Sequence, residues 1–357
     1  MLHARRIVAV VVAAAGLWGA GCHREVELTP LPAAKISVLG DRFFDVKATS
    51  AERALVVGYG GKILETTDSG RNWEIIETPT DRALYSIRFG DAPANQLGWI
   101  CGESGLILHT ADGGKTWTKQ ESGTEEYLFA LYALSPTHVY AVGDRSILLE
   151  TKDGGATWKS RKIAQSDTGI SEDIALAVQD PVFYDVAFSD EQNGWVVGEF
   201  GTIQHTKDGG ETWEAQQESL LSDTIVDILD LPTLFGVHFV NSQEGIAAGL
   251  EGAIVRTHDG GQTWTFETID EEVAVLDPLY APFLFPDGKG WVIGSGGEVV
   301  TAGPGQSTWK RADLGMRLFT WLRGIDFYDH SNGWIVGGFG TILRTEDGGQ
   351  TWTPSYA

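Results

Sequence analysis

A chain of 357 residues that carries 49 Asp and Glu against 26 Lys and Arg has a formal net charge of −23. Such a surface repels phosphate backbones and anionic lipid headgroups, which argues against nucleic acid as a partner and leaves basic or apolar protein surfaces as the fitting ones. The two cysteines and eight histidines fall in no HExxH or paired-cysteine spacing, so no zinc site is supported, and neither metal nor cofactor is expected.

In chain order, residues 1–22 read as an export signal. Arg5 and Arg6 precede the apolar run IVAVVVAAAGLWGAG, which is too short to span a bilayer and is followed by polar chain. Ala20 and Gly21 directly before Cys22 resemble a bacterial lipobox, with Gly19 where an aliphatic residue is usual. Cys22 is therefore a candidate for lipidation, and ordinary cleavage to a soluble periplasmic protein is the alternative. His23, where Asp would signal inner-membrane retention, favours the outer membrane. Residues 23–40 read as a linker. The other cysteine, Cys101 in GWICGE, stands where the parallel GWVVGE has Val197, and so reads as a small buried hydrophobe.

From residue 41 to 357 one unit repeats. Aligned on the Trp that closes DGGxTW, seven copies end at Trp73, Trp117, Trp158, Trp213, Trp264, Trp309 and Trp352, spaced 41 to 55 residues apart. Each has an alternating apolar segment, a second run often opening Gly-Trp, a Gly-x-x-Gly link, a third run such as TILRT, the DGG turn and a short segment after Trp. Four strands per unit of about 45 residues is the signature of a propeller blade. The first strands are FFDVKA (43–48), LYSIRF (84–89), LFALYAL (128–134), VFYDVAF (182–188), LFGVHFV (234–240), LYAPFLF (279–285) and WLRGIDF (321–327). The fold class is thus all-β, a seven-bladed β-propeller. The sixth copy, TAGPGQSTW, has Ala302 and Pro304 where the others have Thr and Asp, so its turn should differ. AKISVLG at 34–40 is a candidate strand for the last blade's outer edge, since Pro354 suits only an edge.

In DGGxTW the Asp carboxylate can accept from N–H groups one and two residues on, and the glycines supply positive φ. The Trp ring then fills the space between blades. Eleven of the thirteen Trp residues sit at repeat positions; Trp18 and Trp321 do not. This placement favours an architectural role over a carbohydrate platform.

The repeat S/T-x-D-x-G-x-x-W resembles the Asp-box, or bacterial neuraminidase repeat. Seven such units with GWxVGxxGxILxTxDGGxTW behind an export signal are similar to the photosystem II stability/assembly factor family and its non-photosynthetic bacterial relatives. That resemblance covers about residues 41–357 and implies a non-catalytic assembly or binding role for membrane protein complexes. Photosynthetic members offer basic residues to their partners, whereas this chain is acidic, which points away from a photosynthetic client.

Asp-boxes also occur in sialidases and xyloglucan hydrolases, so a glycosidase is the rival reading. A sialidase needs three arginines, a Tyr–Glu nucleophile pair and an acid/base Asp, and the opening Arg-Ile-Pro signature is missing here. The xyloglucan enzymes place their carboxylates between two propellers. Asp45, Asp185 and Asp326 should lie near the axis with Lys47, Arg88, His238 and Arg323, either as catalytic carboxylates or as paired charges of a wet channel.

Function in propellers gathers on long loops. Residues 166–180, 218–230 and 267–277 hold thirteen acidic residues and no Lys or Arg. Asp167, Glu172, Asp173, Asp223, Asp227, Asp230, Asp270, Glu271 and Glu272, interspersed with aliphatics, are the expected partner-binding residues. The partner is expected to be an envelope or integral membrane protein with a basic, partly apolar surface. The bland alternative has the charges solubilising loops whose aliphatics pack back onto the blades.

Overall fold

The structure, a computed structural model, describes residues 38–161, 163, 180–270 and 274–355. Seven sheets follow one another along the chain, each with four antiparallel strands from one contiguous repeat. The first strands run Phe43–Ala48, Leu84–Phe89, Leu128–Ala133, Phe183–Phe188, Leu234–Phe239, Leu279–Leu284 and Leu322–Phe327, and the first strands of neighbouring blades pack side by side around a central channel. Blades 1 to 7 are numbered accordingly.

Why the ring holds follows from strand alternation. Every second strand, such as Ala54–Gly58 or Gly194–Gly198, is buried along its whole length. Its side chains point alternately to opposite faces, so each blade feeds two seams. Val56 joins Trp73, Trp334 and Val336 between blades 7 and 1, while Leu55 and Val57 join Leu84, Ile87 and Trp117 between blades 1 and 2. Seven apolar clusters result, one per seam. Cys101 is fully buried in the cluster between blades 2 and 3, and burial pushes its thiol pKa up.

The Asp-box is a hydrogen-bonded knot. In blade 2 the Asp112 carboxylate accepts from the Thr116 N–H at 2.9 Å and from the Thr116 and Thr110 hydroxyls at 2.6 and 2.8 Å, and Thr110 Oγ1 accepts from the Gly114 N–H at 2.9 Å. The main backbone donor is thus four residues beyond the Asp, further than the sequence reading placed it. Gly113 and Gly114 take φ of 76° and 91°. A Cβ on Gly114 would also lie 2.8 Å from Leu55 of the neighbouring blade, so this glycine sets the blade spacing as well as the turn. Blade 6 substitutes a Gln306 side chain that accepts from Gly303 N–H at 3.0 Å.

One feature departs from the sequence reading. Thr268–Ile269, inside the third acidic loop, pairs in parallel with Thr308–Arg311 and gives blade 6 a fifth strand. Most of the candidate edge strand at 34–40 lies outside the described residues, which begin at 38; there 39–40 turn, and Arg42 bridges to Gly338 while the Asp41 carbonyl accepts from the Gly340 N–H at 2.9 Å. This strap crosses the seam between blades 7 and 1 at its inner end.

Candidate functional site

Every first strand carries the same irregularity. In blade 1, Phe43 pairs with Gly58 but Asp45 pairs with Val57, leaving Phe44 as an extra residue, and the same shift recurs in the other six. A bulge of this kind re-aims a side chain. Here it turns the second residue of each strand into the channel, where Phe44, Tyr85, Phe129, Tyr184, Phe235 and Tyr280 form an aromatic collar. Neighbouring rings touch around most of the circle, with centroids 5.2 Å apart for Phe44 and Tyr85 and 5.0 Å for Tyr184 and Phe235. The seventh position is Arg323, whose guanidinium lies 4.6 Å over the Tyr280 ring. Trp321 completes the circle by stacking on Phe44 at 5.5 Å. Sequence reasoning missed the collar, although an aromatic column at one position of six first strands was there to be seen.

Below the collar the other six channel residues named from sequence, Arg323 being part of the collar, face one cavity of about 450 Å³. Asp45 accepts from Arg88 at 2.5 Å and from the Val46 and Ile87 N–H groups. Asp326 accepts from Lys47 at 2.9 Å and the Ala48 N–H at 2.8 Å. Among the described residues Asp185 accepts only from the Val186 and Val237 N–H groups, both at 2.9 Å, and burial pushes its pKa up to about 6 against the pull of Arg88. His238 takes the Leu284 N–H on Nδ1 at 3.2 Å, and burial lowers its pKa to about 4, so the ring is neutral at physiological pH. Two of the three carboxylates are therefore held in ion pairs. A Tyr–Glu pair of the sialidase type does exist, Tyr140 and Glu150 at 2.9 Å, but Tyr140 is fully buried at the seam with blade 4 and its pKa is pushed up by that burial.

The links between second and third strands and the connections between blades share one face, onto which the collar opens. Of the twelve exposed large apolar side chains among the described residues, nine belong to segments of this face: Val38, Leu39, Tyr59, Tyr127, Val226, Leu229, Leu276, Phe319 and Phe339. Tyr328 alone sits in a turn of the opposite face. In the connection from blade 4 to blade 5, Leu221, Ile225 and Ile228 pack against Leu231 and Leu234, whereas Val226 and Leu229 stay exposed beside Asp223, Asp227 and Asp230. Asp227 caps a short 3-10 turn by accepting from the Leu229 N–H at 3.0 Å. Asp270 lies 3.6 Å from Lys310. Asp167, Glu172, Asp173, Glu271, Glu272 and Cys22 lie outside the described residues. Among the described residues no group of His, Cys, Asp and Glu could hold a metal ion, and no helix is long and apolar enough to cross a membrane.

A family model described as photosynthesis system II assembly factor YCF48 matches residues 34–125, 169–231 and 224–321. The photosystem II assembly lipoprotein Ycf48 of Synechococcus sp. (strain CC9902) is 34% identical over 94 residues, and the chain spans only 25% of that curated relative's length. Among solved structures, YCF48 bound to D1 peptide superposes with a TM-score of 0.64 at 19% identity, covering 89% of this chain and 99% of that one. YCF48 from Cyanidioschyzon merolae gives 0.66 at 19% identity, over 88% and 97%. The GH74 xyloglucanase from Xanthomonas campestris gives 0.68 at 12% identity, over 90% of this chain but 55% of the enzyme. At these identities the structural matches speak for the propeller fold.

Proposed function

The chain belongs to the family of the photosynthesis system II assembly factor YCF48, and from that membership we propose that it is an exported, membrane-anchored accessory protein that holds a membrane protein or complex while the client is assembled or assisted. The observation that carries the docking site is the asymmetry of the ring: among the described residues, nine of the twelve exposed large apolar side chains lie on the face of the links and blade connections, beside the acidic residues of the 218–230 loop. Charge steers the encounter and the apolar groups supply affinity, which suits a basic, partly apolar client. The lipoprotein name of the Synechococcus relative supports lipidation at Cys22. A D1 peptide on one YCF48 structure supports a membrane protein as client.

A photo-crosslinking amino acid placed at Val226 or at Phe319 should give adducts with an integral membrane protein in intact envelopes, while one at Lys115, on an Asp-box turn of the opposite face, should not. Adducts confined to position 115 would overturn the docking face. The rival reading, glycan hydrolysis in the channel, is favoured by the raised pKa of Asp185. Against it stand the ion pairs that occupy Asp45 and Asp326, because acid–base hydrolysis needs a second free carboxylate. Turnover of xyloglucan or a sialoside that disappears in Asp185→Asn would restore it.

A further inference from the structure

Arg323 is the exception in an otherwise aromatic ring. The side chain is half-buried among the collar rings, and among the described residues its guanidinium has no carboxylate at ion-pair distance and no hydrogen-bond acceptor, only the face of Tyr280 at 4.6 Å. The other two channel cations are satisfied, Arg88 by Asp45 and Lys47 by Asp326. A partly desolvated cation with only a ring face for company is a costly arrangement, and burial accordingly pulls the Arg323 pKa down. A second polar group is also left open on the cavity wall: Ser86 is 3% exposed and its hydroxyl has no partner. A concavity walled by aromatic rings, with a few converging polar groups, is the usual form of a small-ligand site.

We infer that the channel mouth binds an organic carboxylate on an apolar or aromatic body, with the carboxylate on Arg323 and the body stacked within the collar. A guanidinium meets a carboxylate through two parallel N–H bonds, and that pairing supplies what Arg323 lacks. The opposite rim of the mouth reinforces the orientation. Glu103, Asp144 and Glu199 open the links of blades 2, 3 and 4, and their charge turns an incoming carboxylate toward blade 7. The cavity of about 450 Å³ admits either a free small acid or the last residue of a polypeptide, which share this chemistry.

The test is calorimetric titration of the propeller with indole-3-acetate and 3-phenylpropionate beside their carboxamides, and with a tetrapeptide ending in a free Phe carboxylate beside its C-terminal amide. The acids should bind at least tenfold more tightly than the amides, with quenching of tryptophan fluorescence through Trp321. Arg323→Met should abolish the difference between acid and amide, and Arg323→Lys should restore part of it. Preference for the small acids identifies a free metabolite, and preference for the tetrapeptide identifies a chain end. Should acid and amide bind alike, should Arg323→Met leave the difference intact, or should no probe bind, the inference fails; the crosslinking result at the docking face is unaffected in each case.

Discussion

The ring of Trp73 meets that of Trp334 edge-on, with centroids 5.4 Å apart and planes 77° to one another, across the seam where the last blade meets the first. Trp73 Nε1–H also donates to Ser355 Oγ at 3.0 Å, and Ser355 Oγ–H donates to the Gly70 carbonyl at 2.7 Å. Among the described residues no strand of one terminus joins the sheet of the other at this seam, and closure there rests on this packing together with the Arg42 strap. Trp73→Ala should therefore cost about 3–5 kcal/mol in denaturant unfolding, the range for emptying a buried aromatic site. Ser355→Ala should cost about 1 kcal/mol for the lost hydrogen bonds. A Trp73→Ala cost no larger than that of Ser355→Ala would mean that closure is carried elsewhere.

The Asp-boxes set the acid limit. The Thr116 hydroxyl foremost, with the Thr116 N–H and Thr110 hydroxyl, holds the Asp112 pKa down at about 2, and Asp208 and Asp347 are held there by the matching threonines. A carboxyl depressed in the folded state contributes stability that is present above its unfolded value of 3.8 and lost as pH falls through 2. Acid unfolding should thus steepen below about pH 4, and in Asp112→Ala that limb should be shallower. Loss of the turn's bonding at neutral pH should cost about 1 kcal/mol, as for a helix-capping side chain. Equal acid limbs in wild type and variant would contradict this.

Asp185 works in the opposite sense. With its folded pKa near 6 and an ordinary value of 3.8, its contribution to stability is fully present below the lower figure and lost as pH rises through the higher. The span caps the effect at about 3 kcal/mol, and channel water makes it smaller. Asp185→Asn should flatten the stability profile between about pH 4 and 6, leaving the Asp-box limb unchanged. An unaltered slope across that window would show Asp185 to be an ordinary solvated carboxylate.

How much of this was legible follows from the range of the interactions. The Asp-box could be read because Thr110, Asp112, Gly114 and Thr116 satisfy one another within seven residues, and the blade count came with it. The collar escaped because alternation assigns Phe44 to the opposite face from Phe43 and Asp45 without saying that a bulge will aim it down the axis. That bulge is a property of the pairing with Gly58 and Val57, which lies outside the strand itself. The strand at Thr268–Ile269 was hidden for a similar reason, since its partner Trp309 belongs to the next repeat. Ion pairing in the channel could be expected from composition, but which carboxylate stays unpaired depends on distances across blades.

The proposed lipidation of Cys22 predicts a simple partition. Cys22→Ala should move the protein from the membrane to the soluble envelope fraction and abolish incorporation of labelled palmitate, with the propeller's unfolding unchanged. Membrane retention without the label in this variant would show that the client, rather than a lipid, supplies the anchor.

The 218–230 loop gives the sharpest test of docking, because its acidic residues are not equivalent. Asp223 and Asp230 are exposed, and Asp230 lends the fold only its backbone. Asp227 instead accepts the Leu229 N–H and so shapes the turn that displays Leu229. Lysine at 223 and 230 together reverses the local charge without touching that cap. The double variant should capture a basic client at least tenfold less well from crosslinked envelopes, with thermal unfolding within about 0.5 kcal/mol of wild type, as for exposed substitutions. Asp227→Lys should add a stability cost of about 1 kcal/mol for the lost cap. Undiminished capture by the Asp223→Lys, Asp230→Lys variant would leave the exposed apolar groups, Val226 and Leu229 among them, as the basis of docking and would remove charge from the account.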